Sequence, residues 1–266
     1  MARRDYRDAV IVVTGAGSGI GRELALRLGE WGARLVLTGR RRQRLEQVRD
    51  EIDATAPPPL VATCDVGNAE QVQSWAASIA KATGAVDVLV NNAGRGGYGP
   101  FDTVRLATHS AVIDTNLRGI IHTTHALLPA MLQRGAGQLV FVSSVLGELP
   151  APEHAVYGAT KAAVNAFAGS LRHELRGRGV GITVAAPGLV HSEFAEISAT
   201  PRERFAGVPS RSAAHAAADV LRAMETGRAL AVDDQLSAAA ISLRRHVPRL
   251  FGWIFGQVFE RVRRRS

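Results

Sequence analysis

The sequence predicts an α/β protein with a doubly wound parallel sheet of seven strands, helices on both faces, and a single domain. Apolar runs rich in β-branched residues alternate along the chain with stretches of helical periodicity, which is the order of βαβ units. The runs are apolar at consecutive positions, as expected of strands that helices cover on both faces. A length of 266 residues is enough for one large core.

Seven runs are predicted as strands, with helical patterns between them. The strands are expected over residues 9 to 14, 34 to 38, 60 to 64, 86 to 91, 137 to 143, 181 to 186 and 230 to 233. Stretches such as GIGRELALRLGEWG and NAEQVQSWAASIAKATG carry apolar residues at helical spacing. The prolines of APPPL, residues 56 to 60, are expected to end the helix before the third strand.

Composition and charge narrow the expected partners and location. The net charge of +8 and the pI near 10.8 would suit nucleic acid or an anionic membrane. Arginine is spread over the whole length, however, and no nucleic-acid recognition motif accompanies it, so no nucleic-acid partner is expected. Cys64 is expected to be a buried thiol, the first apolar run is too short for a signal peptide, and no metal site is expected. We therefore expect a cytoplasmic protein.

The first predicted strand ends in TGAGSGIG, residues 14 to 21, and a helical pattern follows at once. A strand, a glycine turn and a helix in that order place backbone N–H groups where a pyrophosphate can bind. Gly15, Gly19 and Gly21 would let the backbone approach the phosphates and the helix pack on the sheet. A purely structural turn is the alternative reading of the same glycines.

The end of the second strand indicates which dinucleotide is preferred. An NAD site commonly has an acidic residue here for the ribose 2′-hydroxyl, whereas this chain has Gly39 followed by Arg40 and Arg41. Guanidinium groups suit a 2′-phosphate through charge-assisted hydrogen bonds, so NADP(H) is favoured over NAD(H). The alternative is that these arginines only open a solvated helix.

Tyr157 and Lys161 form a candidate proton-transfer pair. They are four residues apart in a predicted helix and so lie on one face, and Lys161 is one of two lysines in an arginine-rich chain. A nearby ammonium favours a phenolate, so Lys161 is expected to lower the pKa of Tyr157 toward neutral pH. The same spacing also occurs by chance in helices where it has only a structural role.

Several motifs in order carry a family resemblance over roughly residues 8 to 233. They are TGAGSGIG at 14 to 21, DV at 65 to 66, NNAG at 91 to 94, Asn116 in DTNLRG, SSVLG at 143 to 147, YGATK at 157 to 161, and PGLVHS at 187 to 192. The chain resembles the short-chain dehydrogenase/reductase family of single-domain Rossmann-fold enzymes. Residues 1 to 235 are then expected to form the dinucleotide-binding and catalytic domain, and residues 236 to 266 a C-terminal helical extension.

The resemblance implies four catalytic residues. Tyr157 would protonate the carbonyl oxygen during reduction, and Lys161 would lower its pKa and hold the nicotinamide ribose. Ser144 would hydrogen-bond the substrate oxygen, with Ser143 as the rival for that role. Asn116 would anchor a water molecule in the proton relay to Lys161.

The resemblance also implies a set of cofactor contacts. Besides Tyr157, Lys161, Arg40 and Arg41, they are Gly15, Gly17, Ser18, Gly19, Ile20, Gly21, Asp65, Val66, Asn91, Ala93, Gly94, Pro187, Gly188, Val190 and Ser192. The chain departs from the family pattern at Ser192, where threonine is usual, and at Ser18, where NADP-preferring members often have a basic residue. The family is commonly dimeric or tetrameric, and its usual interface would be the long helices at 116 to 134 and 154 to 178.

The C-terminal segment departs most from the family. Apolar residues recur at helical spacing next to a basic end, at Phe251, Ile254, Phe255, Val258, Phe259 and Val262. This stripe is too short to span a bilayer, and three readings stay open: attachment to a membrane surface, a flap over a lipophilic substrate, or ordinary packing, including a subunit interface. Residues 194 to 209 occupy the place of the family's variable substrate loop. Glu148, His154 and His191 are expected either at the pocket or on loop surface.

The leading functional hypothesis is an NADP(H)-dependent carbonyl reductase or alcohol dehydrogenase that acts on a hydrophobic small molecule. An NAD-dependent alcohol dehydrogenase using the same residues is the close alternative. A protein that senses the dinucleotide or serves as a scaffold without turnover is the alternative of another class, since a fold alone does not fix function. The full set of Asn116, Ser144, Tyr157 and Lys161 argues against it, because a pure sensor has no need for all four.

Overall fold

A computed structural model describes residues 5–52, 56–191, 210–232 and 234–263. Its main sheet has seven strands, all parallel, in the order β3-β2-β1-β4-β5-β6-β9. These strands are β1 Val10–Thr14, β2 Arg34–Gly39, β3 Leu60–Thr63, β4 Val88–Asn91, β5 Gly137–Val142, β6 Val180–Ala186 and β9 Ala231–Val232. The predicted doubly wound fold is confirmed.

A second, two-stranded parallel sheet pairs β7, Leu189–His191, with β8, Ser210–Ser212. The sequence does not predict this small sheet. Each strand has only three residues, too few to show a period of two or a run of apolar residues. This small sheet lies directly after the end of β6 and so borders the edge where the site forms.

Helices connect the strands and cover both faces of the sheet. They are α1 Gly19–Glu30, α2 Arg42–Glu51, α3 Ala69–Thr83, α4 Leu106–Ile113, α5 Gly119–Arg134, α6 Ala155–Glu174, α7 Ala213–Thr226, α8 Gln235–His246 and α9 Pro248–Arg263. One turn of π-helix, Asp114–Arg118, joins α4 to α5, and a 3₁₀ turn, Val145–Gly147, follows β5.

Two apolar layers hold the sheet between the helices. On one face, Leu24 and Leu28 of α1 pack with Val220 of α7 in a cluster that contains alternate residues of β1 and β2. On the other face, Ile79 of α3 and Val164 of α6 belong to the cluster formed by the remaining strand residues. Burying such a side chain contributes about 1.5–3 kcal/mol, so the two layers provide most of the driving force for this arrangement.

The strand order reverses between β1 and β4, and the loops at their carboxyl ends separate there. In doubly wound sheets this switch point forms the ligand crevice. Asn92 fixes its geometry, because its side-chain amide donates to the carbonyl oxygen of Thr14 at 2.9 Å. The Thr14 hydroxyl in turn accepts from the backbone N–H groups of Asn92 and Ala93, each at 3.0 Å.

The C-terminal helices α8 and α9 pack against the segment that follows β5. Ile241 of α8 and Phe251 of α9 are buried with Val145 and Leu149 in a third apolar cluster, and Phe255 stacks on Phe251 with ring centres 4.7 Å apart. No helix in the described part of the chain is both long and apolar enough to cross a bilayer. Of the predicted apolar stripe, the side chains of Val258, Phe259 and Val262 lie outside the described residues.

Candidate active site

A cavity of about 600 Å³ opens at the carboxyl edge of the sheet. Its floor is the glycine loop after β1, and its walls come from the loops after β2, β3, β4, β5 and β6. Tyr157 and Lys161 of α6 and the first turn of α8 complete the lining. The volume is within the usual range for ligand pockets, about 300–1,000 Å³.

The glycine loop is tight enough that side chains are excluded at two of its positions. Gly15 has a φ of +68°, and a Cβ atom there would lie 2.9 Å from the Cα of Ala93. At Gly21 a Cβ atom would lie 2.3 Å from the carbonyl oxygen of Gly15 and 2.5 Å from the Asn92 amide nitrogen. The loop therefore closes against the 92–93 segment and brings the amino end of α1 to the cavity, where backbone N–H groups suit a pyrophosphate.

The two arginines after β2 lie at the far end of the cavity. The guanidinium of Arg41 is 3.5 Å from the Ser18 hydroxyl, and that of Arg40 is 3.9 Å from the carboxylate of Asp65. Asp65 also accepts a hydrogen bond from the Gly67 backbone at 3.0 Å. Two guanidinium groups beside the amino end of α2 form a cationic corner, with Asp65 next to it.

Tyr157 lies half-buried in the first turn of α6 and lines the cavity. Burial raises the pKa of the Tyr157 hydroxyl to about 12, and a hydrogen bond with Ser144 acts in the opposite direction. The expectation that Lys161 brings the pKa of Tyr157 down toward neutral pH is wrong for this structure. Desolvation of the phenolate is the larger effect, so the phenol holds its proton at neutral pH.

Lys161 is buried one turn further along the same face. Its ammonium nitrogen donates to the Val142 carbonyl oxygen at 2.9 Å and lies 5.7 Å from the centre of the Tyr157 ring. Burial lowers the pKa of Lys161 to about 8, because the interior disfavours the charged form. The amine therefore exchanges its proton near neutral pH.

Ser143 and Ser144, which follow β5, have different partners. The Ser143 hydroxyl donates to the carbonyl oxygen of Lys161 at 3.3 Å, so it ties the strand end to α6. The Ser144 hydroxyl accepts from the Leu146 backbone at 3.2 Å and makes the hydrogen bond with Tyr157. Of the two, Ser144 is the one next to the phenol oxygen.

Asn116 lies behind the cavity in the π-helical turn and is fully buried. Its side-chain oxygen accepts from the Arg95 backbone N–H at 2.7 Å, and its amide donates to the Arg95 carbonyl at 2.9 Å and to Thr160 at 3.2 Å. The Thr160 hydroxyl donates to the Tyr157 carbonyl oxygen at 2.7 Å. Asn116 thus joins the loop after β4 to helix α6, and π-turns of this kind are frequent at functional sites.

Most of the residues predicted as site residues meet in this cavity. They are Gly15, Gly17, Ser18, Gly19, Ile20, Arg40, Arg41, Asp65, Val66, Ala93, Gly94, Ser144, Tyr157, Lys161, Pro187, Gly188 and Val190. Gly21 and Asn116 support the lining from behind, and Ser192 and the loop 194 to 209 lie outside the described residues.

Asn91 was expected among the cofactor contacts, but its side chain points away from the cavity. Its amide donates to Thr124 at 3.3 Å, and its oxygen accepts from Thr123 at 2.7 Å. The adjacent Asn92 faces the glycine loop and the cavity instead. Consecutive residues of a strand point to opposite faces of the sheet. The predicted segment therefore reaches the cavity, but through Asn92 and not through Asn91.

For Glu148, His154 and His191 the sequence left open a position at the pocket or on the loop surface, and the structure places the three differently. His154 lines the cavity with its ring edge toward Tyr98, at 5.2 Å between ring centres, and burial lowers its pKa. His191 contacts the Ser210 hydroxyl across the small sheet. Glu148 binds Asn165 and the C-terminal helix α8.

Several lining residues were missed by sequence reasoning. They are Asn92, Arg95, Tyr98, Leu146, Leu149, Leu189, Asp234, Leu236 and Ser237. Asn92 lies within the NNAG motif, and Arg95 and Tyr98 follow it, so their place at a strand's carboxyl end was a usable signal. Asp234, which caps the amino end of α8, and Leu236 and Ser237 in its first turn carried no such signal. Because Leu236 and Ser237 line the cavity, the boundary predicted at residue 235 falls within the site.

Comparisons of the sequence with known proteins agree on one family. A model of the family described as short chain dehydrogenase matches residues 9–202. The chain is 34% identical over 262 residues to dehydrogenase/reductase SDR family member 7B of Bos taurus, covering 94% of this chain and 81% of that protein. It is 38% identical over 190 residues to the NADP-dependent 3-hydroxy acid dehydrogenase YdfG of Salmonella typhi, covering 71% and 75%.

A solved structure also matches the fold closely. A short-chain dehydrogenase/reductase from Burkholderia phymatum, in complex with NAD, superposes with a TM-score of 0.85 at 27% identity. The match covers 93% of this chain and 96% of that one. The likeness therefore extends over most of the chain.

Proposed function

The chain belongs to the short-chain dehydrogenase/reductase family, and on that premise we propose that it transfers a hydride between NADP(H) and a lipophilic ketone or secondary alcohol. As a member of the family it is an oxidoreductase of CH–OH and C=O groups that uses NAD(P). The observation that carries the proposal is the meeting of Ser144, Tyr157 and Lys161 with the glycine loop in one cavity.

In the proposed chemistry, Tyr157 and Lys161 each transfer a proton. When bound, NADP(H) supplies or accepts the hydride. Tyr157 gives its proton to the carbonyl oxygen during reduction, and its pKa of about 12 keeps the phenol protonated until the oxygen develops charge. Ser144 donates a hydrogen bond to the same oxygen. Lys161, with a pKa of about 8, can return a proton toward Tyr157 near neutral pH.

The preference for NADP(H) rests on the cationic corner at Arg40 and Arg41. Both guanidinium groups lie beside the start of α2, and Arg40 is too far from Asp65 for a tight ion pair, at 3.9 Å. A 2′-phosphate offers each of them a charge-assisted hydrogen bond. NAD(H) has no 2′-phosphate to offer, so it gains less from these two residues.

The lipophilic substrate is supported by the other end of the cavity. Apolar side chains of the turn after Ser144, of β7 and of α8 line the cavity, namely Val145, Leu146, Leu149, Leu189 and Leu236, together with the polar His154 and Ser237. Burial of a substrate alkyl group against them is favourable by about 25 cal/mol per Å² of area removed from water. A ketone with an extended apolar substituent would therefore bind better than a small one.

A fluorescence titration of the full chain with NADPH and then NADH tests the cofactor assignment. We expect tighter binding of NADPH, lost in the double variant Arg40→Ala with Arg41→Ala and kept in Arg49→Ala, which removes an exposed arginine at the other end of α2. Equal binding of NADH would favour the NAD-dependent alcohol dehydrogenase. Binding of either cofactor without turnover of any ketone or alcohol would favour the dinucleotide sensor.

We also propose a homodimer or homotetramer that forms through α4, α5 and α6. Leu106, Ile113 and Ile121 are exposed large apolar residues on α4 and α5, with exposed fractions of 78%, 37% and 40%. Such a group of residues is typical of a subunit interface. Light scattering on the wild type and on Ile121→Glu tests it, and a monomeric wild type would contradict it.

A cytoplasmic protein that touches membranes through α9 is the proposal for localisation. Leu250, Trp253 and Ile254 are exposed on this helix, and Arg249 adjoins them. An amphipathic helix with basic flanks can lie in a membrane interface. Flotation with anionic vesicles should recover the wild type but not a Leu250→Glu, Trp253→Glu variant; failure of the wild type to float would exclude the contact.

A further inference from the structure

The Glu148 carboxylate joins two helices that come from distant parts of the chain. One of its oxygens accepts from the Asn165 side-chain amide on α6 at 3.1 Å. The other pairs with the Arg245 guanidinium at the end of α8, at 2.9 Å, across 97 positions of sequence. The Glu148 backbone carbonyl also contacts Arg244. These contacts form what we name the Glu148 clasp, which consists of Glu148, Asn165, Arg244 and Arg245.

The clasp differs from an ordinary surface ion pair. The Glu148 side chain is only 15% exposed, although Arg245 is 56% exposed. A carboxylate that is largely withdrawn from water needs its hydrogen bonds, because an unpaired buried charge is costly. Removal of Arg245 would therefore disturb the position of Glu148 as well as that of α8.

Both ends of the clasp lead to residues that line the cavity. Glu148 ends the short turn that starts at Ser144 and carries Leu146. On α8, Leu236 and Ser237 lie in the first turn and line the cavity, while Arg245 lies in the last turn. Helix α8 therefore crosses the substrate end of the cavity and is fastened at its far end to the segment that holds Ser144.

We propose that Glu148 is a positioning residue: through Arg245 it holds α8 against the turn after Ser144 and so fixes the size of the apolar substrate pocket. The buried contact of Ile241 with Val145 and Leu149 lies between the clasp and the pocket and transmits the restraint. The inference rests on the proposed function for the identity of the substrate end. It assigns to the C-terminal segment the role of one wall of that pocket.

Loss of the clasp should weaken binding of the substrate and leave binding of the cofactor unchanged. The residues of the clasp do not line the cavity, and the cationic corner and the glycine loop belong to the opposite end. We therefore expect loss of the clasp to raise KM for ketones with long apolar substituents, with kcat and NADPH affinity nearly unchanged. A purely structural role would lower stability without a change in KM that depends on substituent length.

The test is a double-mutant cycle in the full chain with Glu148→Gln, Arg245→Gln and the combined variant. Glu148→Gln keeps an acceptor for Asn165 and removes the charge that Arg245 pairs with. With methyl ketones from butanone to decanone and NADPH, each single variant should raise KM for the longest ketones about fivefold, and the combined variant no further, since coupled residues are not additive. Arg245→Lys keeps a cation for the Glu148 carboxylate, so its KM for the longest ketones should be close to that of the wild type.

Arg134→Gln is the control, because Arg134 also joins a helix end to a carbonyl and a carboxylate, at Val86 and Asp87, but at the opposite edge of the sheet. It should leave KM unchanged. Additive effects of the two single variants, or a change in KM equal to that of Arg134→Gln, would overturn the inference.

Hydrogen exchange separates this inference from the proposed function. Even if no ketone is turned over, both single variants should speed amide exchange over residues 235 to 246 and 144 to 149, relative to the wild type and to Arg134→Gln. Unchanged exchange in these two segments would refute the clasp by itself. Faster exchange without ketone turnover by the wild type would keep the clasp and reject the proposed substrate.

Discussion

The Lys161 ammonium nitrogen lies 5.7 Å from the centre of the Tyr157 ring and is bound to the carbonyl oxygen of Val142. Lys161 is buried and Tyr157 is half-buried beside it, so each favours its neutral form: desolvation raises the pKa of Tyr157 to about 12 and lowers that of Lys161 to about 8. A neutral Tyr157 phenol can donate a proton to the substrate. The Lys161 amine, which titrates near neutral pH, can then return a proton to it.

Replacement of Tyr157 by phenylalanine removes the proton donor and keeps the ring. We expect turnover of ketones to fall by about 10²–10⁴-fold, the usual contribution of general acid catalysis, while NADPH binding changes little. Steady-state kinetics and the fluorescence titration measure the two effects separately. Activity equal to the wild type would remove Tyr157 from the reaction and would contradict both the reductase and the dehydrogenase assignments.

The adjacent serines provide a matched pair of variants. Ser144→Ala should lower kcat by roughly 10²-fold, because a hydrogen-bond donor to the reacting oxygen is lost. Ser143→Ala should leave kcat within a few-fold of the wild type and lower the free energy of unfolding by about 1 kcal/mol, since only its bond to the Lys161 carbonyl is removed. A larger kinetic loss at Ser143 than at Ser144 would exchange their assigned roles.

The strands and the glycine loop could be predicted because their signals are local. A continuous apolar run and the order strand, glycine turn, helix are visible within about twenty residues of sequence, and the seven strands were found near their observed positions. The pKa of Tyr157 could not be predicted in the same way. The sequence shows that a lysine is near the tyrosine, but the loss of water around both depends on the packing of α6 against the sheet.

The pocket wall formed by α8 could not be predicted, because it depends on contacts between distant residues. Nothing near Leu236 marks it as a cavity residue, and its position follows from Ile241 and Arg245 meeting the turn after β5. Asn91 and Asn92 show the opposite limit. The segment that contains them lines the cavity, but which of the two side chains faces it depends on where the strand ends, and strand boundaries are poorly defined by sequence alone.

The glycine loop gives a prediction that depends on space rather than on charge. Gly21→Ala places a Cβ atom 2.3 Å from the Gly15 carbonyl oxygen, so the loop must open away from the Asn92 segment. We expect a loss of about 1–3 kcal/mol in the free energy of unfolding and a marked loss of NADPH affinity. Urea unfolding and fluorescence titration measure both quantities.

Gly169→Ala is the control for that variant. It lies in α6, and a Cβ atom there meets nothing within 4 Å outside its own helix. Alanine in a helix interior should raise the free energy of unfolding by about 0.5–1 kcal/mol and leave NADPH affinity unchanged. Equal behaviour of the two variants would mean that close packing of the loop is not what Gly21 provides.

Burial of Lys161 predicts a pH-dependent stability. Its pKa is 10.5 when unperturbed and about 8 in the folded state, so between these values the unfolded chain binds a proton that the folded chain does not. Stability rises with pH wherever the unfolded state binds more protons. The Lys161 contribution is therefore most unfavourable below pH 8 and is relieved as the pH rises toward 10.5.

Lys161→Met removes this titration and keeps a side chain of similar length. The free energy of unfolding of the variant minus that of the wild type should therefore fall as the pH rises from 7 to 10. The full fall across the window would be about 3 kcal/mol, at about 1.4 kcal/mol per pH unit. Urea unfolding at the two pH values measures it.

Lys81→Met, at the exposed second lysine of the chain, should give a nearly constant difference. A constant difference for Lys161→Met as well would show that Lys161 stays charged in the folded protein, and the proton source assigned to Tyr157 would then be excluded.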